Sequence, residues 1–206
     1  MVVALLSLGL ALGCPAVFGA TADSIESPTE VVRATLTEVF RILEDPNLQE
    51  PAKLLPRRRL LEEVIARRFD YEEMSRRALS AHWKPLTETE RQEFVQLFKA
   101  FLSDRYAAKI EGYSGEQVSY LEERIANGFA EVRTRLHSTK IDLGMDYRLH
   151  QKAGRWSAYD IIVDGVGLVR NYRSQFAKII DDDSYQELVR RLRERTVIDA
   201  QKSKKS

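Results

Sequence analysis

Apolar and polar positions change their period twice along the chain. From Val32 onward Leu36, Val39, Phe40 and Leu43 recur at helical spacing. Ser27-Pro28-Thr29-Glu30 ahead of them reads as a capping box with proline at the first helical position, and Asp45-Pro46 stops the run. A second helix is predicted over 56–69, with Leu61, Val64 and Ile65 inward and Arg57, Arg58, Arg59, Arg67 and Arg68 outward. Asp70 with Glu73 opens a short third helix through Met74 and Ala78. Thr87 with Glu90 opens the longest one, to about Tyr106, bearing a stripe of Phe94, Leu97, Phe98, Phe101 and Leu102.

At Gly112-Tyr113-Ser114-Gly115 the period falls to two. Val118 and Tyr120 begin an alternation that Ala130, Val132, Thr134 and Leu136 continue after an Asn127-Gly128 turn. Ile141, Leu143, Met145, Tyr147 and Leu149 alternate without error against polar residues and Gly144, and a last strand runs from Trp156 to Val163 after Ala153-Gly154. Beyond Asp164-Gly165 helical spacing returns in Val166, Val169, Tyr172, Phe176 and Ile179, then in Tyr185, Leu188, Val189 and Leu192. Helices, then an antiparallel meander, then helices predict an α+β fold: a curved sheet of about four strands with helices packed on one face. A polar tail is expected over 201–206.

Composition adds an address. The chain has 206 residues, with 32 Lys and Arg against 31 Asp and Glu, and no charged residue precedes Asp23. Val2 to Leu12 is an apolar core followed by small residues ending in Ala20-Thr21-Ala22, the pattern of a secretory signal peptide over 1–22, cleaved after Ala22 or after Gly19. Gly9, Gly13 and Pro15 interrupt it too often for a membrane-spanning helix. The reading departs from the usual pattern in lacking a basic start, and Leu12-Gly13-Cys14 leaves acylation of Cys14 as an alternative to cleavage. Cys14 is the single cysteine, so a chain cleaved at Ala22 has neither a disulfide nor a thiolate, and the single domain expected over 23–200 must be held by its apolar core.

Candidates for chemistry are thin. His82, His137 and His150 belong to no paired metal or base motif, and the last two fall on the polar phase of their strands, which predicts exposure. Asp181-Asp182-Asp183 lacks the spacing of a calcium loop and suits a helix start. Asp160 and Asp164 flank a strand about 13 Å apart, too far to act as a carboxylate pair. Neither a catalytic residue nor a metal or other cofactor is expected. The arginine clusters alternate with Glu62, Glu63, Glu72 and Glu73, so solvated helix faces explain them, with docking or membrane approach as the other reading; an exported chain has no nucleic acid to meet. Eight Phe, eight Tyr, two Trp and three Met remain, concentrated on one face of each element. Periodicity alone cannot tell a close-packed core, the plainer reading, from a lipid-sized cavity.

Several strings together tip that balance: Arg68-Phe69-Asp70-Tyr71-Glu72-Glu73-Met74 with Ala78-Leu79, His82-Trp83, Leu86-Thr87 with Arg91-Gln92-Glu93-Phe94, Tyr147-Arg148-Leu149, Trp156 with Tyr159-Asp160, and Gly165-Val166 leading to Asn171-Tyr172-Arg173-Ser174-Gln175-Phe176. In this order, over roughly 30–195, they resemble the MlaC, or toluene-tolerance, family. The resemblance implies a non-enzymatic periplasmic monomer with an NTF2-like sheet and helices enclosing an apolar cavity for the tails of a glycerophospholipid. It also implies shuttling between an outer-membrane lipoprotein–porin complex and an inner-membrane ABC transporter with an MCE-domain protein, which maintains outer-membrane lipid asymmetry. By phase, the expected lining is Leu97, Phe98 and Phe101 from the long helix, Leu143, Met145, Tyr147 and Leu149 from the sheet, and Val169, Tyr172 and Phe176 from the return helix. Arg173 is expected to anchor the fold or to meet a phosphate. An exported chaperone or adaptor with an apolar groove is the other reading, and a small enzyme using Asp160 or His82 as a base the third.

Overall fold

The structure, a computed structural model, describes residues 26–113 and 115–203, with side chains through Arg195. The expected signal peptide, its cleavage and the lipidation of Cys14 lie outside the described residues. Helix α1, Pro28–Glu44, starts where Ser27 accepts a hydrogen bond from the Glu30 amide at 3.2 Å and ends at Asp45. Two 3-10 turns, Pro46–Leu48 and Pro51–Lys53, lead into α2, Leu54–Arg68. This helix begins two residues before its predicted start, because Pro56 falls within the first turn, where a missing N–H breaks no intrahelical bond. Asp70 caps α3, Tyr71–Leu79, through the Glu73 amide at 2.9 Å. The Glu73 carboxylate turns to Arg76 and Arg77 instead of completing the box.

A 3-10 turn over Ser80–Trp83 precedes α4, Glu88–Glu111, whose capping box between Thr87 and Glu90 is complete. Helix-favouring Ala107, Ala108 and Lys109 carry it past Tyr106 to Gly112. Removing one of the four orphan amides' acceptors at a helix start costs about 1 kcal/mol. Thr87→Ala is therefore expected to lower unfolding stability by about that amount in a denaturant titration, with no change of fold.

Five antiparallel strands follow in sequential order: β1 Gln117–Ala126, β2 Phe129–His137, β3 Asp142–Lys152, β4 Arg155–Val163 and the two-residue β5, Val166–Gly167. The sheet is open, and β5 stands where helix had been expected to resume. Its tight turns are Asn127-Gly128, Ala153-Gly154 and Asp164-Gly165, each with both residues at positive φ. That mirror-image turn matches the strand twist and favours glycine at its second position. The register shift between Tyr120 and Glu122 marks a bulge at Leu121, and another leaves Tyr159 out of the β3–β4 ladder. The second bulge turns Tyr159 toward the helices.

Helix α5, Leu168–Asp182, and α6, Tyr185–Ser203, complete the chain. Ser184 caps α6 through the Glu187 amide. Lys178 and Arg191 hold Asp182 and Asp183, and His82 lies 3.6 Å from Asp181. The helix runs to Ser203, beyond the expected tail boundary at Gln201, through a Gln-Lys stretch with good helix propensity.

Apolar burial divides into three cores. Helices α3 to α6 enclose Met74, Ala78, Leu79, Phe94, Phe98, Phe101, Leu102, Val169, Tyr172, Phe176, Leu188 and Leu192, joined from the sheet by Tyr159. Val31 and Val32 of α1 cover Ala130, Val132, Tyr147, Leu149, Trp156 and Ala158 on one sheet face. Val39, Ile42 and Leu43 of α1 pack against Leu61 and Val64 of α2.

Candidate functional site

The two-residue turns fix strand register, and register sorts the inner sheet face into rows. One row runs Ile161, Tyr147, Val132, Glu123 and the next Ala158, Leu149, Ala130, Ile125. Helix α1 seals their middle, and Glu123 holds the helix start by accepting from the Thr29 amide at 2.7 Å. Toward the lower end, where β1 begins and β2 finishes, the rows read Val166, Val163, Met145, Thr134, Tyr120 and then Leu143, Leu136, Val118. Of these only Thr134 is fully buried. Val118, Leu136, Leu143, Val163 and Val166 join none of the three cores. The inner face is thus largely apolar, fully buried in its middle and mostly half-buried along a strip toward its lower end.

The helices frame this strip without filling it. At its lower end α2 is tied to α4 by Arg58, whose Nε and Nη2 donate to the two carboxylate oxygens of Glu111 at 2.6 and 2.9 Å, and by the Ser103 hydroxyl on Glu62. Tyr113, just past α4, stacks on Phe40 at 4.5 Å between ring centroids and donates to Glu44. Burial and that carboxylate push the Tyr113 phenol up to about 12, so it remains a donor at neutral pH. Helix α4 makes its main backbone approaches to α6 and α3 rather than to the sheet. Half-buried Leu36, Ile65, Leu97, Tyr106, Ile110 and Ile161 stand at the margins of the separate cores. The half-buried strip beside the three cores presents aliphatic and Met side chains that suit a flexible apolar ligand.

The ten expected lining residues fall into two groups. Leu143 and Met145 lie on the strip, Tyr147 and Leu149 just above it under α1. Burial raises the Tyr147 phenol well above its ordinary range, and its hydroxyl meets the Met145 sulfur at 3.0 Å. Phe98, Phe101, Val169, Tyr172 and Phe176 are packed in the helical core, with half-buried Leu97 at its edge. The helical phases had been read correctly as inward; what they face is chiefly one another. Val118, Leu136, Val163 and Val166 were recognised as regularly phased positions but not as part of a site. Leu136 pairs with Leu143 across β2 and β3, but the bulges shift Val118 and Val163 by one residue from the register that the Asn127-Gly128 and Ala153-Gly154 turns set, so pairing outward from those turns would have misplaced both.

Two further expectations meet structure here. His150 is not exposed as its polar phase implied: its Nε2 lies 3.0 Å from Asp70 Oδ2, and its ring packs edge-on against Tyr159. The bulge that brings Tyr159 across, together with the α3 cap, covers this side of β3. Asp70 thereby serves the α3 cap with one oxygen and β3 with the other. Asp160 is buried, and burial raises its pKa against the opposing effect of the Val169 amide, which donates to it at 2.9 Å. Its geometry is that of a fastener between β4 and the start of α5. Arg173 donates to the Arg77 carbonyl at 2.8 Å, fixing α5 to α3. Arg77 in turn lies over the Tyr159 ring at 4.1 Å. Among the described residues no group of three or more His, Cys, Asp or Glu could hold a metal ion, and no helix is long and apolar enough to cross a membrane.

The chain is 21% identical over 124 residues to the intermembrane phospholipid transport system binding protein MlaC of Haemophilus influenzae, covering 57% of this chain and 58% of that one. The alignment therefore spans somewhat more than half the relative's length. A phospholipid-binding protein from Ralstonia solanacearum, whose structure is a complex with a phospholipid, superposes with a TM-score of 0.73 at 26% identity, covering 82% of this chain and 97% of that one. The family described as MlaC protein matches residues 33–194, from the first turns of α1 to the middle of α6, so the strip and all of the three cores but Val31 and Val32 lie inside the match and the chain belongs to the MlaC family.

Proposed function

We propose that this protein binds a glycerophospholipid and carries it across the periplasm. The observation that carries the reading is the half-buried apolar strip on the inner sheet face, which lies beside three separate cores. The likeness to a phospholipid complex over 97% of that chain supports it. The acyl tails lie along Leu143 and Met145 and reach toward Tyr147, Leu149 and Leu97. Phe98, Phe101, Val169, Tyr172 and Phe176 form the wall that keeps the helices in place.

Burying one methylene is worth about 0.8 kcal/mol, so a long chain exposed to water costs on the order of 10 kcal/mol. A lipid crossing an aqueous compartment needs a cover that rivals a bilayer in affinity and still releases its cargo. Aliphatic, Met and aromatic walls supply such area and adapt to different chains. In this reading the donors and acceptors are an outer-membrane lipoprotein–porin complex and an inner-membrane ABC transporter with its MCE-domain protein. The protein performs no catalysis, needs no cofactor and works as a monomer.

Organic extraction of the purified exported protein followed by mass spectrometry is expected to yield phospholipid in stoichiometric amount. A lipid-free protein that instead captures unfolded peptides would replace the carrier with a chaperone.

A further inference from the structure

The rows of the inner sheet face carry four polar side chains among their aliphatic ones: Tyr120, Glu123, Thr134 and Tyr147. Two of them are satisfied within the fold. Glu123 accepts from the Thr29 amide at 2.7 Å, and the Thr134 hydroxyl donates to the Met145 carbonyl at 2.5 Å. The two phenols have no oxygen acceptor among the described residues. Tyr147 is only 6% exposed, and its hydroxyl meets nothing better than the Met145 sulfur at 3.0 Å. A thioether is a weak acceptor, and a buried hydroxyl without a good one is costly.

The tip of Tyr147 lies where the sealed middle of the face meets the strip. Its ring belongs to the core under α1, while its hydroxyl reaches along β3 to half-buried Met145, two residues away. Tyr120 stands in the same row as Met145, with Thr134 between them, on the edge strand β1. The Arg33 guanidinium of α1 lies over the Tyr120 ring at 3.9 Å and is half exposed, so this row runs from an enclosed phenol to the solvent boundary. Burial raises both phenols, and Tyr120 adds to the rise at Tyr147, so both remain donors at neutral pH. A glycerophospholipid needs donors at such a boundary. Its ester carbonyls, acceptors with no donor of their own, stand between apolar tails and a hydrated head group.

We infer that the Tyr147 hydroxyl, with Tyr120 beside it, donates to an ester carbonyl of the bound lipid, the flexible Met145 side chain giving up its sulfur contact as the lipid enters. The inference rests on the carrier reading and adds that the protein distinguishes acyl esters from alkyl ethers of the same tail length and head group. The exported protein is incubated with vesicles holding equal amounts of dihexadecanoyl and dihexadecyl phosphatidylglycerol, repurified, and its bound lipid quantified by mass spectrometry. The parent is expected to take the ester over the ether by about fivefold, the factor that one net hydrogen bond supplies. Tyr147→Phe keeps the ring and is expected to fold like the parent while loading the two lipids almost equally. Tyr185→Phe removes a phenol that donates to the Glu90 carbonyl in the helical layer, and it is expected to keep the parent's ratio. A parent ratio near one overturns the assignment, as does a Tyr147→Phe ratio equal to the parent's or an equal fall in Tyr185→Phe. These results leave the carrier standing as long as lipid is bound. A parent that takes up neither lipid and yields none from cells sinks the carrier reading itself.

Discussion

Phe98→Ala is expected to be the most damaging single truncation in the helical layer, lowering unfolding stability by about 3–5 kcal/mol. The Phe98 ring has no exposed surface, and its centroid lies 5.8 Å from Phe94, 6.5 Å from Phe101, 5.5 Å from Tyr172 and 5.3 Å from Phe176. The contacts with Tyr172 and Phe176 are edge-to-face, an arrangement that contributes beyond buried area. Truncation leaves a cavity that α4 and α5 cannot close, because each is pinned elsewhere: α5 by Asp160 and Arg173, α4 by Glu111 and the α6 contacts. A domain of ordinary stability, about 5–15 kcal/mol, would lose a large share of it. Thermal or denaturant unfolding monitored by circular dichroism measures the loss. A change below about 1 kcal/mol would mean that the ring is not held among its neighbours.

The same residue shows where sequence legibility ended. Capping signals located the helix starts at Pro28, Tyr71 and Glu88, because Ser27, Asp70 and Thr87 act within one turn of themselves. Alternation located four strands, and the glycine-bearing turns between them were readable for the same local reason. What was not legible was depth. Phe98 and Met145 both occupy inward phases of strongly patterned elements, yet one is enclosed by four aromatic rings and the other is only half-buried on the strip. Which inward position is covered depends on how the helices cross the sheet, a long-range matter that no single period encodes. The bulges had the same effect. One extra residue at Tyr159 carried an aromatic ring out of the sheet's alternation and into the helical core, and it drew His150 under cover with it.

Leu143→Arg is expected to abolish most lipid occupancy while leaving the protein folded, and the two readouts together decide whether the strip is the site. Leu143 is half-buried at the lower margin, opposite Leu136 and one row below Met145. An arginine there can lay its methylenes on the sheet and extend its guanidinium to water, so the domain tolerates it. An acyl chain along the strip cannot: it would have to share the row with a cation or force that cation's desolvation, at a cost of several kcal/mol. That cost is a fall in occupancy of more than about tenfold, because 1.4 kcal/mol is one decade. Met145→Arg is expected to act in the same direction with a greater loss of stability, since Met145 lies between Val163 and Thr134 and meets the Tyr147 hydroxyl. Leu149→Arg, at a fully buried position under α1, is expected to unfold the protein instead. Phospholipid quantified per folded protein after organic extraction gives the answer. A folded Leu143→Arg variant with parental lipid content would move the tails off this strip and toward the aromatic residues of the helical layer.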